Sequence, residues 1–403
     1  MTPPTKQSAA TKPVNSKSFP WTLLAAFAAV CAAFAYARTG STRVDPQSER
    51  FLAWMAQRGI VHTGTHLVHL ESDNRDVYTH KHFEKGDMLM IVPHEATIHD
   101  WMAKSDPSVS EYLKIYPKTD WVPIIASFIL LHRNDPMWKS YFDFLPKTFS
   151  TPIYWSDAML KEIEGTDLLE DVGRLRKDIE KEWDQWKSHL PAHSTLIEFT
   201  WAWHCVMSRV WTLPVGEGKN EAVMIPMVDV ANHYGKPKVK IEYNSKLGAV
   251  TMTATQSIQS GEQVDVTYGE MSNYKSLKYM GFTMPDNDHN EDCRVRIFRE
   301  PEDPPSYRIP RRWCLFQIKR LNRSLQECHL GQPNDPNVRE RIAKAARAKL
   351  RTYPTTVKQD DDILERAGRE QLSFDYLNAV RARRGEKTCL QKIARTANGA
   401  VQK

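Results

Sequence analysis

The spacing of apolar residues changes character several times along the chain. Between residues 59 and 93, short β-prone runs alternate with Gly, Asp and Asn, which predicts a series of strands. Residues from about 100 to 213 instead show apolar positions three and four apart, the period of a helix. Thr195 and Glu198 have the spacing of a capping box at the start of the last of these helices. The first half of the chain is therefore predicted to be a β-domain interrupted by a helical insert.

The second half repeats this alternation between strand and helix. Four short β-prone runs predict strands at 223–225, 239–243, 249–253 and 263–267. From about Tyr307 to the end the pattern is helical again. One stripe contains Trp313, Phe316, Leu321 and Leu325, and another contains Ile342, Ala345, Ala346 and Leu350. The sequence therefore predicts an all-α C-terminal domain.

The N-terminus has a different organisation. Residues 1–18 are polar and are predicted to be a disordered tail. Residues 20–37 carry no charge, and this segment is close to the length needed to cross a bilayer. Trp21 and Tyr36 lie near its two ends, where interfacial aromatic residues are expected. We predict a transmembrane or signal-anchor segment at 19–37, whose orientation stays open because both flanks are basic. The alternative is a cleaved targeting peptide, since small-residue cleavage sites end at Ala35 and Ala37.

Composition excludes a mainly disordered, collagen-like or coiled-coil chain. The 403 residues are 41% hydrophobic and 26% charged, which is ordinary for a globular protein. The net charge is +6, and three of the positive charges lie in the tail, so a nucleic-acid partner is disfavoured. The basic stretches at 339–351 and 381–395 could bind nucleic acid or a lipid surface. They also contain acids and apolar stripes, which favours the solvated faces of packed helices.

The cysteines do not suggest a metal site. None of the six forms a Cys-x-x-Cys pair, so a zinc ribbon is disfavoured and no metal is predicted. A chain long enough to build its own core does not need a disulfide framework. We therefore expect mostly buried or free thiols at Cys31, Cys205, Cys293, Cys314, Cys328 and Cys389.

Two dipeptides are candidates for chemistry. Asn232-His233 follows an apolar strand, and because neighbouring side chains of a strand point to opposite faces, the pair is predicted to lie in a loop or turn. Tyr268-Gly269 ends a later β-prone run, after a turn at Gly261-Glu262. Taken alone, each dipeptide is typical of an ordinary turn.

The combination resembles a known family. Asn232-His233, the Gly-Glu turn, Tyr268-Gly269, Asn273 and Gly281-Phe282 follow in the order found in the C-terminal half of SET-domain protein methyltransferases. Further matches at 128–155, 201–209 and 353–387 resemble the Rubisco large-subunit methyltransferase class. The resemblance implies an α+β fold: a threaded, β-rich SET domain at 49–300 with its helical insert at about 100–213, then an all-α substrate-binding-like domain at 301–403. Together with the N-terminal anchor helix, these make up the predicted architecture.

This resemblance also implies roles for particular residues. Tyr268 would be the catalytic tyrosine of a narrow channel between the cofactor S-adenosyl-L-methionine and the target side chain. The implied cofactor-binding residues are Asn232 and His233, with Arg209 on the cofactor carboxylate, for which a guanidinium is well suited. Asp229 and Phe282 are further cofactor candidates.

The resemblance gives a less direct indication of which amino acid of the substrate is methylated. Tyr243 and Trp211 are candidates for lining the target channel, and lysine-methylating members of the class tend to carry an aromatic residue at the position of Trp211. Aromatic walls suit a methylated ammonium through cation–π contact. We therefore expect a lysine of a protein substrate to be the target, with histidine as the alternative.

One stretch departs from the family. The first cofactor loop usually contains glycine, but residues 71–79 contain none. Asn74 or Asp76 could adopt, at some energetic cost, the left-handed conformation that glycine allows. Glu71 and Asn74 are the cofactor candidates in this stretch. The altered loop is also the sequence support for a second hypothesis, a non-catalytic SET-fold scaffold that binds a protein partner.

The sequence and the resemblance together therefore predict a membrane-anchored, single-pass protein-lysine methyltransferase, and the resemblance alone implies that it is a monomer. Location in an organelle such as a plastid, after removal of the N-terminal segment, is the alternative.

Overall fold

The computed structural model describes residues 45–69, 75–216, 218–285, 287, 291–298, 313–319, 323–326 and 336–396. The predicted tail at 1–18, the predicted anchor at 19–37 and the candidates Glu71 and Asn74 lie outside these residues. Among the helices in the described ranges, none is both long enough and apolar enough to cross a membrane.

Three small antiparallel sheets form the β part of the first domain. The largest has the strand order β1-β4-β9-β8, the second β5-β7-β6, and the third pairs β2 with β3. The predicted strands between 59 and 93 and between 223 and 253 are confirmed. The strand bounds are β1 Val61–His62, β2 Thr65–His69, β3 Arg75–Thr79, β4 Met88–Pro93, β5 Ile98–His99, β6 Val210–Gly216, β7 Lys219–Met224, β8 Val239–Asn244 and β9 Ala249–Ala254.

Helices fill the stretch between β5 and β6, as their apolar spacing predicts. One more helix precedes the sheets and another follows them. The bounds are α1 Pro46–Gln57, α2 Asp100–Lys104, α3 Pro107–Ile115, α4 Trp121–Leu131, α5 Lys139–Phe144, α6 Asp157–Leu160, α7 Asp167–Trp186, α8 Leu196–Arg209 and α9 Asn273–Met280.

Helix α8 carries site residues at its C-terminal end. It begins at the predicted capping box: the N–H of Glu198 donates to Thr195 Oγ1 (3.2 Å), and the N–H of Thr195 donates to Glu198 Oε2 (3.1 Å). Its buried face includes Phe199, Ala202 and Val206 and packs against the strongly apolar α4. The helix ends at Arg209, so the prediction that the helical pattern continues to about residue 213 was wrong for its last residues. Val210 pairs with Met224 of β7, and this tertiary pairing outweighs the local spacing.

The Asn-His segment and the tyrosine segment lie side by side. His233 forms a parallel bridge with Val266, whose N–H donates to the Asn232 carbonyl (2.8 Å) and whose carbonyl accepts from the N–H of Tyr234 (2.8 Å). The prediction of a continuous strand at 263–267 was wrong: only isolated bridges form there, at Gln263 and Val266. The segment changes neighbour between these two residues, from β3 to the Asn-His segment, which prevents a regular ladder.

The C-terminal part is not all helical, and the prediction of an all-α domain was wrong. Strands β10 Cys293–Phe298, β11 Trp313–Lys319 and β12 Arg323–Gln326 form an antiparallel sheet. Trp313, Phe316 and Leu325 of the first predicted stripe therefore lie on strands. The spacing of three between Trp313 and Phe316 fits a helix, but the segment Trp-Cys-Leu-Phe-Gln-Ile is also strongly β-prone and pairs with β10. Helices follow as α10 Pro336–Leu350, α11 Val357–Arg366 and α12 Phe374–Thr396.

A disulfide bond joins Cys293 of β10 to Cys389 of α12. The expectation that the cysteines are free thiols was therefore wrong for this pair, whereas Cys205 is a buried free thiol. The two partners are 96 residues apart in sequence with a Cα–Cα distance of 5.9 Å. Sequence spacing alone could not reveal this pairing, because the fold brings distant residues together.

Candidate active site

Tyr268 is held by residues 231–233 at two points, its side-chain hydroxyl and its main-chain N–H. Its hydroxyl donates to the carbonyl of Ala231 (2.8 Å), and its main-chain N–H donates to Nδ1 of His233 (3.0 Å). Burial raises the pKa of the hydroxyl to about 12; Asp229, Asp265 and Asp76 act in the same direction and Arg209 opposes them. The phenol is therefore protonated at neutral pH.

Aromatic rings surround this tyrosine. The ring centroid of His233 lies 5.3 Å from that of Tyr268 and 6.0 Å from that of Phe282. Trp211 meets Tyr268 edge-on, with the ring centroids 6.2 Å apart. Burial lowers the pKa of His233, so the imidazole is neutral at pH 7. Because Nδ1 accepts a hydrogen bond, the single proton of this neutral ring lies on Nε2.

A carboxylate fixes the amide of Asn232. The Nδ2 group of Asn232 donates to Oδ1 of Asp76, which is buried on β3. Burial raises the pKa of Asp76, and the hydrogen bond from Asn232 opposes that rise. Asp76 lies in extended strand and does not adopt the left-handed conformation, and Asn74, the other residue named for it, lies outside the described residues. Among the described residues other than glycine, only Met227 has a positive φ.

Arg209 and Asp229 are the charged residues of opposite sign that act on each other and on Tyr268. Asp229 lies in a short 3₁₀ turn after Met227, and its Oδ2 accepts a hydrogen bond from the hydroxyl of Tyr141 (2.5 Å). Burial raises the pKa of Asp229 to about 6, against the opposing charge of Arg209. The Arg209 guanidinium is half-buried at the end of α8 and donates to Ser208 Oγ (2.9 Å).

The two predicted channel residues lie in different surroundings. Trp211 on β6 contacts Tyr268, as described above. Tyr243 on β8 meets the ring of His94, with the centroids 5.5 Å apart and the planes at 68°.

His94 belongs to a cluster with His99 and Glu221. His94 Nε2 lies 2.9 Å from Glu221 Oε2, and the imidazoles of His94 and His99 stack with their centroids 4.3 Å apart and their planes at 13°. Lone pairs in nearly parallel ring planes do not converge on one ion, so we assign no metal to this cluster.

The structure therefore brings Arg209, Trp211, Asp229, Asn232, His233, Tyr268 and Phe282 into one region. Sequence reasoning missed two of its polar members. Tyr141 comes from the helical insert, and nothing in its local sequence connects it with Asp229. Asp76 lies in the stretch that lacks the expected glycine, which was a signal for its importance. That signal indicated its backbone conformation and not the hydrogen bond that its carboxylate makes. The donor set suits a ligand with both cationic and anionic groups and a flat aromatic part: Arg209 can bind an anion, the carboxylates a cation, and the rings a heterocycle.

Comparison with known proteins identifies what the chain is similar to. The family model for the Rubisco LSMT substrate-binding domain matches residues 307–390. The chain is 26% identical over 245 residues to the N-lysine methyltransferase setd6 of Danio rerio, covering 53% of this chain and about half (52%) of that protein. It is 23% identical to the chloroplastic Rubisco large subunit N-methyltransferase of Nicotiana tabacum, covering 87% of this chain and 82% of the relative.

A histidine methyltransferase is also related. The actin-histidine N-methyltransferase of Plecturocebus moloch is 21% identical, over 86% of this chain and 68% of that protein. Among solved structures, the SET domain of LSMT bound to lysine and AdoHcy matches with a TM-score of 0.72 at 20% identity, covering 88% of this chain and 92% of that one. Rubisco LSMT bound to AdoMet matches with a TM-score of 0.71 at the same identity and coverage. The chain therefore has the fold of the Rubisco LSMT SET proteins, as its motifs predict.

Proposed function

We propose that this protein transfers a methyl group from S-adenosylmethionine to the side-chain amine of a lysine in a protein substrate. The observation that carries the proposal is the junction of the two motif segments, where Tyr268 donates from its backbone to His233 and from its hydroxyl to Ala231. Relatives named as lysine methyltransferases, and a structural neighbour bound to lysine and AdoHcy, support the same reaction.

The residues of the site suit this cofactor. Arg209 would bind its carboxylate, Asn232 its amino-acid end, and His233 with Phe282 its adenine. Glu71 and Asn74, next to this region in sequence, remain predicted contacts. When bound, the cofactor supplies an electrophilic methyl group on a positively charged sulfur.

The chain itself supplies alignment and a complementary field. With the cofactor bound, the lone pair of a neutral lysine amine would form the new C–N bond, the S–C bond would break with its electron pair left on sulfur, and the product ammonium would lose a proton to solvent. Tyr268 stays protonated and fixed to Ala231, so its oxygen can still accept a contact from the polarised methyl or the amine. Trp211 and Tyr268 provide aromatic surface for the cationic product.

A labelling experiment tests the reaction. The full-length protein is incubated with a cell extract and S-adenosylmethionine that carries a radioactive methyl group, and labelled proteins are hydrolysed to amino acids. We expect methyl-lysine, and a loss of about 100-fold or more in rate for Tyr268→Phe. Tyr234→Phe, at a 57% exposed side chain, is the matched control and should keep full activity.

Other outcomes would redirect the proposal. Labelled methylhistidine would replace lysine by histidine as the target, in line with the actin-histidine relatives. Cofactor binding without any labelled protein, in extracts from several compartments, would favour the non-catalytic scaffold.

We also propose that residues 19–37 anchor a monomeric protein in a membrane. The sequence supports this, whereas the chloroplastic relatives favour the alternative of a processed plastid protein. N-terminal sequencing of the mature protein separates the two, because processing would remove these residues. Resistance to alkaline carbonate extraction would support an anchor, and light scattering of the detergent-solubilised protein would give its oligomeric state.

A further inference from the structure

Asp76 has a second carboxylate nearby, that of Asp265. Tyr78 forms an antiparallel bridge with Gln263, and the N–H of Val264 donates to the Val77 carbonyl (2.7 Å). Asp76 precedes Val77 and Asp265 follows Val264, so the two carboxylates continue the segments from this point of contact, and the charge of Asp76 acts on Asp265. Like charges brought close together on neighbouring strands destabilise a protein unless a cation compensates them.

Both carboxylates lie beside the residues that we propose to bind the cofactor, Asn232 and His233. Asp76 is 4% exposed and accepts from Asn232, and Asp265 is half-buried one residue before Val266, the bridge partner of His233. Burial raises the pKa of Asp265, and the neighbouring Asp76 raises it further. Both residues also raise the pKa of Tyr268, so their field reaches the channel tyrosine.

The charge balance of the site points to a cationic ligand group. Asp76, Asp229 and Asp265 act on Tyr268 together with one cation, Arg209, while His233 is neutral at pH 7. A site meant for an anion would not place a buried carboxylate beside its amide donor. The bond to Asp76 uses Nδ2 of Asn232, and the amide oxygen of Asn232 is a second acceptor in this region.

We propose that Asp76, assisted by Asp265, recognises the ammonium group of the cofactor's amino-acid end. This assignment rests on the proposed function and adds to it Asp76, from the glycine-free stretch, with its neighbour Asp265. The pair would compensate there, through charge, for the backbone contacts that a glycine loop normally makes.

The test compares two ligands by calorimetry on the full-length protein. S-adenosylhomocysteine carries the ammonium group, whereas 5′-methylthioadenosine lacks the whole amino-acid end. In Asp76→Asn the new amide oxygen can still accept from Asn232, so the substitution removes charge and preserves the hydrogen bond. We expect the affinity for S-adenosylhomocysteine to fall about tenfold or more and that for 5′-methylthioadenosine to change less than twofold.

Two further variants complete the design. Asp265→Asn, at a less buried position, should show the same ligand-selective loss and serves as the main test if Asp76→Asn does not fold. Asp184→Asn, at a side chain that is 66% exposed on α7, is the matched control and should bind both ligands like the wild type.

Each result has a defined meaning. An equal loss for both ligands would assign Asp76 a structural role and overturn the inference, as would unchanged binding of S-adenosylhomocysteine. Either result leaves the proposed function intact if the wild type binds and Asn232→Ala does not. If the wild type binds neither ligand, the proposed function fails, and this inference fails with it.

Discussion

The main-chain N–H of Tyr268 donates a hydrogen bond to Nδ1 of His233, 35 positions earlier in the chain. The bond couples the orientation of the imidazole to the position of the tyrosine backbone. It also determines which imidazole nitrogen faces a ligand, since Nδ1 is occupied. His233, which we propose as a cofactor contact, therefore also helps to place Tyr268, which we propose as the catalytic tyrosine.

Substitutions at His233 should separate these two roles. In His233→Asn the amide oxygen can take the place of Nδ1, whereas His233→Ala leaves the N–H of Tyr268 without its acceptor. We expect His233→Ala to lower the free energy of unfolding by about 1–3 kcal/mol and His233→Asn by clearly less. Urea denaturation measures both values. Equal destabilisation by the two substitutions would show that the hydrogen bond does not contribute to stability.

Asp229 should make stability depend on pH in a specific direction. Its pKa rises from 3.8 to about 6 on folding, so the folded state binds a proton more tightly than the unfolded state. The contribution of this group to stability is therefore greatest below pH 3.8, falls as the pH rises, and reaches its minimum above about pH 6. Asp229→Asn should match the wild type near pH 4 and exceed it by up to about 3 kcal/mol at pH 7.

Urea denaturation of both proteins at the two pH values checks this prediction. All other titrating groups are shared, so they largely cancel in the difference. A variant that is less stable than the wild type at pH 7 would mean that the ionised carboxylate stabilises the fold through Arg209, contrary to the expected sign.

Gly281 should not tolerate a side chain. It ends α9 in the left-handed conformation (φ 81°), and a Cβ there would lie 3.1 Å from backbone atoms of Ser150 and Thr151. We expect Gly281→Ala to cost about 1–3 kcal/mol and to displace the neighbouring Phe282. Gly173, inside α7 with open space around it, is the matched control. Gly173→Ala should stabilise the protein by about 0.5–1 kcal/mol. Thermal denaturation checks both substitutions, since Gly281→Ala should lower the melting temperature and Gly173→Ala should raise it.

The disulfide should contribute measurably to stability. The double substitution Cys293→Ala with Cys389→Ala is expected to lower the free energy of unfolding by about 2–5 kcal/mol, since the closed loop is long. Adding a reductant should lower the melting temperature of the wild type but not that of the double variant. Identical melting of the two proteins without reductant would show that the bond adds nothing.

Local signals predicted much of the fold and part of the site. The capping box at Thr195 and the strands around the Asn-His segment follow from short-range pattern, and the order of the motifs identifies the fold. The strand at Trp313 could not be predicted in this way, because the spacing of its apolar residues also fits a helix and only pairing with β10 decides between them. Asp76 and Tyr141 were missed for a related reason, as their partners are 156 and 88 residues away.

The bond between Cys293 and Cys389 has a further consequence for the covalent topology of the chain. It turns the intervening stretch into a closed ring, from which residues 1–292 and 390–403 extend as two open ends. A protease that cuts one peptide bond inside the ring opens it without releasing a fragment. A nicked molecule would therefore migrate in a non-reducing gel with its full mass. It would separate into two pieces only after the disulfide bond is reduced.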